Sequence, residues 1–172
     1  MGRAGVWVLA LFFSFSLASG QEQTTQQPPP TKPCATEQHK AFDFWVGTWD
    51  VSTKDGTHVG VNEIASHRCM LFESWKGDKG SEGLSLNFVD PADGMWTQDW
   101  VDNGGGRIVI KGGFKDGAMR LVGEHTLPNG TRRPFRGTWT PLEDGRVRQY
   151  FEEVADEEAG WATWFDGYYK KR

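Results

Sequence analysis

Three carboxylates and one imidazole are the residues of this 172-residue chain best placed to do chemistry. Glu73 lies between Phe72 and Trp75, Asp99 beside Trp100, and Asp166 between Phe165 and Gly167. A carboxyl pressed against aromatic rings loses hydration, so its pKa rises and it can act as a general acid or base near neutrality. The competing arrangement is an ion pair across a sheet with Arg133, Arg146 or Arg148. Of the four histidines, His39, His58, His67 and His125, only His125 shares the parity of the apolar residues around it. Such a histidine either forms a hydrogen-bonded part of the core or faces a ligand. Asp99, Glu73 and His125 are therefore the candidate catalytic residues.

Trp96, Gln98 and Trp100 stand at i, i+2 and i+4. In a strand that spacing puts two indoles and one amide on the same face. With His125, Trp139, Gln149 and Phe165 they form a candidate ligand-binding set, since small-molecule pockets are aromatic surfaces carrying a few orienting polar groups. Other chemistries lack their residues. There is no His-x-His, His-x-x-x-His or Cys-x-x-Cys pair for a metal. The acidic run from Glu152 to Glu158 lacks the spacing of a calcium loop. Gly104-Gly105-Gly106 is not followed by the Lys-Ser/Thr and helix of a phosphate cradle, and no Gly-x-Ser-x-Gly elbow occurs. Neither a metal nor a cofactor is expected.

The elements that must position these residues are short strands. Asp55-Gly56, Asp78-Lys79-Gly80, Asp93-Gly94, Asn103-Gly104, Asp116-Gly117, Asn129-Gly130 and Asp144-Gly145 punctuate the chain at near-regular intervals. Asn-Gly and Asp-Gly favour the left-handed backbone of tight hairpins. Strands are expected near 47–53, 58–66, 68–76, 82–89, 95–102, 106–112, 118–126, 132–140, 146–154 and 161–169. Residues 36–44 form the one expected helix, with Thr36 as N-cap, leading into the first strand as a lid or plug. Ten antiparallel strands without a parallel crossover leave two edges unless they close, so an all-β, up-and-down barrel follows. Alternation assigns the interior to Leu84, Leu86 and Phe88, Trp96 and Trp100, Ile108 and Ile110, Met119 and Leu121, Phe135 and Trp139, Val147 and Phe151, and Trp161 and Phe165. Gln98, His125, Gln149, Thr163 and Arg133 are polar exceptions at the same parity.

From His39 to Trp49 the chain reads H-x-x-F-D-F-W-x-G-x-W, with His39, Phe42, Asp43, Phe44, Trp45, Gly47 and Trp49 in place. In this it resembles a largely uncharacterised family of exported bacterial proteins. Glu73-Ser74-Trp75, Asn87-Phe88 with Asp90-Pro91, Trp139-Thr140-Pro141-Leu142 and Phe165-Asp166-Gly167 extend the resemblance over 34–172. The resemblance implies a calycin-like barrel of the lipocalin and nitrobindin kind, and no catalytic residue comes with it. A nitrobindin-like haem would need a proximal histidine. The last strand, Trp161 to Tyr169, has none, so haem is not expected.

Residues 1–20 combine Arg3, an apolar run from Val6 to about Ala18, and small residues at Ala18 and Gly20, the pattern of a cleavable signal peptide. An apolar run that short does not span a bilayer, so no stable membrane anchor is expected after cleavage. Residues 21–33 are a Gln/Thr/Pro-rich tether without a residue to bury, leaving 34–172 as the folded domain. Cys34 and Cys69 are the only cysteines. In an exported protein such a pair is most simply a disulfide. A formal charge of −4 argues against a nucleic-acid partner, because phosphate binding needs a cationic surface. Nothing in the pattern sets an oligomeric state. The sequence thus describes a secreted or periplasmic barrel that binds a small apolar or aromatic molecule. Its alternatives are a barrel enzyme, an isomerase, cyclase or hydrolase, using an interior acid or base, and a cell-envelope structural or interaction module with a filled interior.

Overall fold

The computed structural model describes Met1, Gly2 and residues 33–172. The expected signal peptide and tether, apart from Met1, Gly2 and Pro33, lie outside the described residues. A short helix α1 (Glu37–Lys40) and a 3₁₀ turn (Asp43–Trp45) precede ten strands: β1 (Gly47–Ser52), β2 (His58–His67), β3 (Met70–Gly77), β4 (Glu82–Val89), β5 (Trp96–Asp102), β6 (Arg107–Lys115), β7 (Ala118–Thr126), β8 (Arg132–Pro141), β9 (Val147–Glu153) and β10 (Ala162–Lys171). Each strand pairs antiparallel with its neighbours in sequence, and β1 pairs with β10, Trp49 opposite Lys171 and Ser52 opposite Tyr168. The result is the expected closed up-and-down barrel, consistent with a calycin-like fold.

Five hairpins close by one pair of backbone bonds, from the N–H of a residue to the carbonyl four positions on and from the N–H three positions on back to its own carbonyl. These begin at Thr53, Gly77, Asp102, Leu127 and Leu142. Each places one left-handed glycine late in the loop, at Gly56, Gly80, Gly105, Gly130 and Gly145. They are therefore type I turns followed by a glycine bulge rather than type I′ turns. Only at Asp116-Gly117 do both turn residues have positive φ.

The N-terminal segment closes one end of the barrel. Thr36 is the N-cap residue, but its hydroxyl bonds the His39 ring at 2.7 Å instead of a backbone N–H. Phe42 and Trp45 are fully buried and stacked at 4.9 Å. Phe42 meets Trp96 at 5.5 Å and Trp139 at 5.2 Å, both edge-on. The Trp49 indole donates to the Trp45 carbonyl and the Trp96 indole to the Gln38 carbonyl, so the plug is held by hydrogen bonds as well as by packing. Cys34 is disulfide-bonded to Cys69 in the β2–β3 turn at the same end.

On β4 the inward parity is the reverse of that expected. Gly83, Ser85 and Asn87 are buried, whereas Leu84 and Leu86 are 45% and 43% exposed. The apolar stripe lies outside because Ser85 and Asn87 are bound to polar groups within. Trp161 precedes β10 and lies over the Arg136 guanidinium at 4.3 Å on the outer surface. Thr163 likewise faces outward, bonded to the Tyr150 hydroxyl.

Since the disulfide closes a loop of 35 residues, replacing both cysteines by serine should lower unfolding free energy by about 3 to 4 kcal/mol. Urea denaturation measures this. Alkylation of the denatured, unreduced protein should find no free thiol, and two labelled cysteines would remove the explanation.

Candidate functional site

The plug fills the end of the barrel where β5 and β9 begin, and the aromatic residues toward the other end leave a cavity of about 540 Å³. The turns Thr57–Val59, Asp78–Glu82 and Asp102–Gly104 border its mouth. Its walls are rings: Trp75, Trp100, Phe151, Trp164 and Phe165. The Trp75 indole is fixed by a 3.1 Å bond to the Ser81 hydroxyl and meets Phe165 edge-on at 6.1 Å. A register shift between Thr163 and Phe165 turns both Trp164 and Phe165 toward the cavity, as a bulge does by breaking the two-residue period. Inward glycines make the space for these rings. A Cβ on Gly83 would stand 2.0 Å from the Trp100 ring, and one on Gly137 would stand 2.6 Å from Phe151.

The inner part of the cavity is polar. Glu73 on β3 is 2% exposed. Its Oε1 accepts from Asn62 Nδ2 at 2.7 Å, and its Oε2 from the Ser85 hydroxyl at 2.6 Å and Gln98 Nε2 at 3.3 Å. Around these, Asn87 donates to Ser85 at 2.8 Å and accepts from Gln98 at 3.0 Å. Asn62 Nδ2 also donates to the Tyr169 hydroxyl at 3.3 Å. Antiparallel register assembles this set: Glu73 faces Ser85, Asn87 faces Gln98, and Asn62 faces Trp75.

Every partner of Glu73 among the described residues is neutral. Burial pushes its carboxyl up to about 7, while the bonds from Asn62 and Ser85 pull the other way. Burial also raises the Tyr169 phenol well above its usual range, and the nearby Glu73 charge adds to the effect. Two buried atoms of lining residues have no partner among the described residues: Asn62 Oδ1, an acceptor, and Trp100 Nε1, a donor. At the mouth, His58 bonds Asp78 at 2.7 Å, which raises the pKa of its ring.

The expected site residues divide between four places. Glu73, Gln98, Trp100, Gln149 and Phe165 line the cavity. Trp96 and Trp139 point inward but are packed against Phe42 in the plug, and Trp139 donates to Gln149 at 2.9 Å. Trp96 and Trp100 share a strand face but not a compartment, because the plug fills the end where β5 begins. His125 lies behind Trp164, bonded to Glu153 at 2.9 Å, with Arg133 3.4 Å from the same carboxylate. This pairing fixes its ring at the barrel rim, outside the cavity lining. Asp99 faces outward and holds Arg107 through two bonds of 2.9 and 2.7 Å. Asp166 is likewise held by Arg148 on the outer face. Of the three carboxylates next to rings, only Glu73 lacks a cation among the described residues.

Asn62, Ser85, Asn87, Tyr169 and Trp164 complete the site without having been expected as site residues from the sequence, Asn87 having entered only through the family resemblance. The available signal was the pair of small polar residues at one parity on β4, Ser85 and Asn87. No protein-family model matches the chain, and no curated protein matches it.

Glu73 makes stability depend on pH with a definite sign. The unfolded chain releases this proton near pH 4.5 and the folded chain near 7. Between those values the folded state holds more protons, so stability falls as pH rises through the window and is level above it. Relative to wild type, Glu73→Gln should gain on the order of 3 kcal/mol between pH 4.5 and 8. Urea midpoints of the two proteins across that range test this, and parallel curves would show that Glu73 holds no extra proton.

Proposed function

We propose that this protein is an exported barrel that binds one small, largely apolar molecule between its aromatic walls. The observation that carries the reading is the 540 Å³ cavity, sealed at one end by the plug, walled by Trp75, Trp100, Phe151, Trp164 and Phe165, and polar at its inner part. That volume and that mixture of surfaces suit a small-molecule site, and burying an apolar ligand there gains about 25 cal/mol per Å² removed from water. A module with a filled interior does not fit this cavity. The Cys34–Cys69 disulfide fits an oxidising, extracytoplasmic compartment. The resemblance to exported proteins with the same N-terminal motif agrees with a secreted or periplasmic location.

A second reading, a barrel enzyme with Glu73 as acid or base, is favoured by one observation. Glu73 faces the cavity and exchanges its proton near neutrality, where such catalysis is most effective. The two readings share the cavity.

Nile red, an uncharged apolar dye, should bind the folded protein saturably and one to one, with a rise in dye fluorescence. Gly83→Ala should displace Trp100, whose ring the new methyl would overlap. The folded variant should bind the dye several-fold more weakly and lose about 1 to 3 kcal/mol of stability from overpacking. Absence of saturable binding by the folded wild type, of this dye and of smaller apolar probes alike, would contradict the reading.

A further inference from the structure

We propose, building on the reading of the cavity as a ligand site, that its ligand is a small apolar amine whose protonated nitrogen sits between the Glu73 carboxylate and Asn62 Oδ1. Four observations meet at this point. Glu73 is an acid inside the barrel with no cation beside it among the described residues, whereas Asp99, Asp166 and Glu152 are each paired with an arginine. Folding has already stripped water from this carboxyl. A ligand cation arriving there gains the full attraction of the pair without desolvating its partner anew, which is the cost that usually cancels a buried ion pair.

The second observation is the orientation of Asn62. Its Nδ2 is committed to the carboxylate at 2.7 Å, which leaves Oδ1 buried as an acceptor with no donor. An ammonium carries three N–H donors and no acceptor, so it satisfies both oxygens together. A carboxylate or phosphate ligand would instead oppose the charge of Glu73 and leave Asn62 Oδ1 unsatisfied. The third observation is the wall. Trp75 and Trp100 line the cavity, indole rings attract a cation over their faces, and Trp100 Nε1, also unpartnered among the described residues, would find an acceptor in an aromatic face or carbonyl on the ligand body. The fourth is the mouth, where Asp78, Glu82 and Asp102 outnumber Lys79 and the titratable His58. That charge balance draws cations inward.

The groups facing Glu73 from the strands around it are Asn62 on β2, Ser85 and Asn87 on β4, Gln98 on β5 and Tyr169 on β10. None changes charge between pH 6 and 8, because the Tyr169 phenol stays protonated. Proton linkage to an amine therefore reports Glu73, and His58 at the mouth, whose ring pKa is raised by Asp78, is the control.

The test is calorimetric titration of the full chain with tryptamine, tryptophol and indole-3-propionate, which share a ring and differ in the end group. At pH 8 tryptamine should bind about tenfold more tightly than tryptophol, and indole-3-propionate should bind most weakly. Tryptamine affinity should fall roughly tenfold from pH 8 to pH 6, as Glu73 takes up its proton, while tryptophol affinity stays level. His58→Gln should keep this pattern. Glu73→Gln should still bind tryptophol but lose both the preference for tryptamine and its pH dependence. Should Glu73→Gln fail to fold, the pH series on wild type and His58→Gln decides by itself, and a flat tryptamine affinity overturns the proposal. Tryptophol or indole-3-propionate binding as tightly as tryptamine at pH 8, or Glu73→Gln keeping the preference, overturns the amine while leaving the cavity a ligand site. Binding of Nile red without any of the three indoles has the same meaning. Failure of all four probes removes the cavity reading and the amine with it.

Discussion

Pairing of β1 with β10, four residues against four, turns a meander with two exposed edges into a ring, and the ring fixes the interior that ten strands must share. The interior of a closed barrel must be filled by side chains or remain as a cavity, and here much of the filling is aromatic. Two devices divide the space. At one end Phe42 and Trp45, delivered by the N-terminal segment and tied down near the β2–β3 turn by the disulfide, pack onto Trp96 and Trp139. Toward the other end the rings stand around the wall, Trp75, Trp100, Phe151 and Phe165 each in room that an adjacent glycine provides, and a cavity remains.

Closure also explains the chemistry of Glu73. Its position on β3 obliges it to point inward with Leu71 and Trp75. An inward carboxyl with no cation must be met by neutral donors, and these occupy the neighbouring strands at matching register. The cluster reverses the expected burial of β4, because Ser85 and Asn87 are required inside and Leu84 and Leu86 are left outside. The polar cluster around this acid and the facing of β4 thus go together. It also leaves an ionisable group at the inner part of an aromatic cavity, a natural partner for a ligand of opposite charge.

Strand number, hairpin positions, the plug and the disulfide were legible in the sequence because each rests on local chemistry: Asp-Gly and Asn-Gly turns, a short helical stretch, and a single cysteine pair. Facing was legible wherever an apolar side chain was also inward, as at Ile108, Ile110, Met119 and Leu121. It failed on β4, where Leu84, Leu86 and Phe88 imitate a core stripe and the decisive partner, Glu73, lies on another strand. Trp164 was hidden for a different reason, since the register shift in β10 breaks the alternation that locates it. Asp99 and Glu73 look alike as acids beside tryptophan, and only the register separates them: Asp99 meets Arg107 outside, while Glu73 meets Ser85 inside.

Everything distinctive about the cavity turns on Glu73, a buried acid with no cation beside it among the described residues. Carbon-13 NMR of the carboxyl carbon, labelled in glutamate and assigned by comparison with Glu73→Gln, follows that group directly through a pH titration of the ligand-free protein. A midpoint near 7 is expected. A midpoint near 4.5, the ordinary glutamate value, would contradict it, because the carboxyl would then be hydrated or paired and the cavity would hold no charge waiting for a partner.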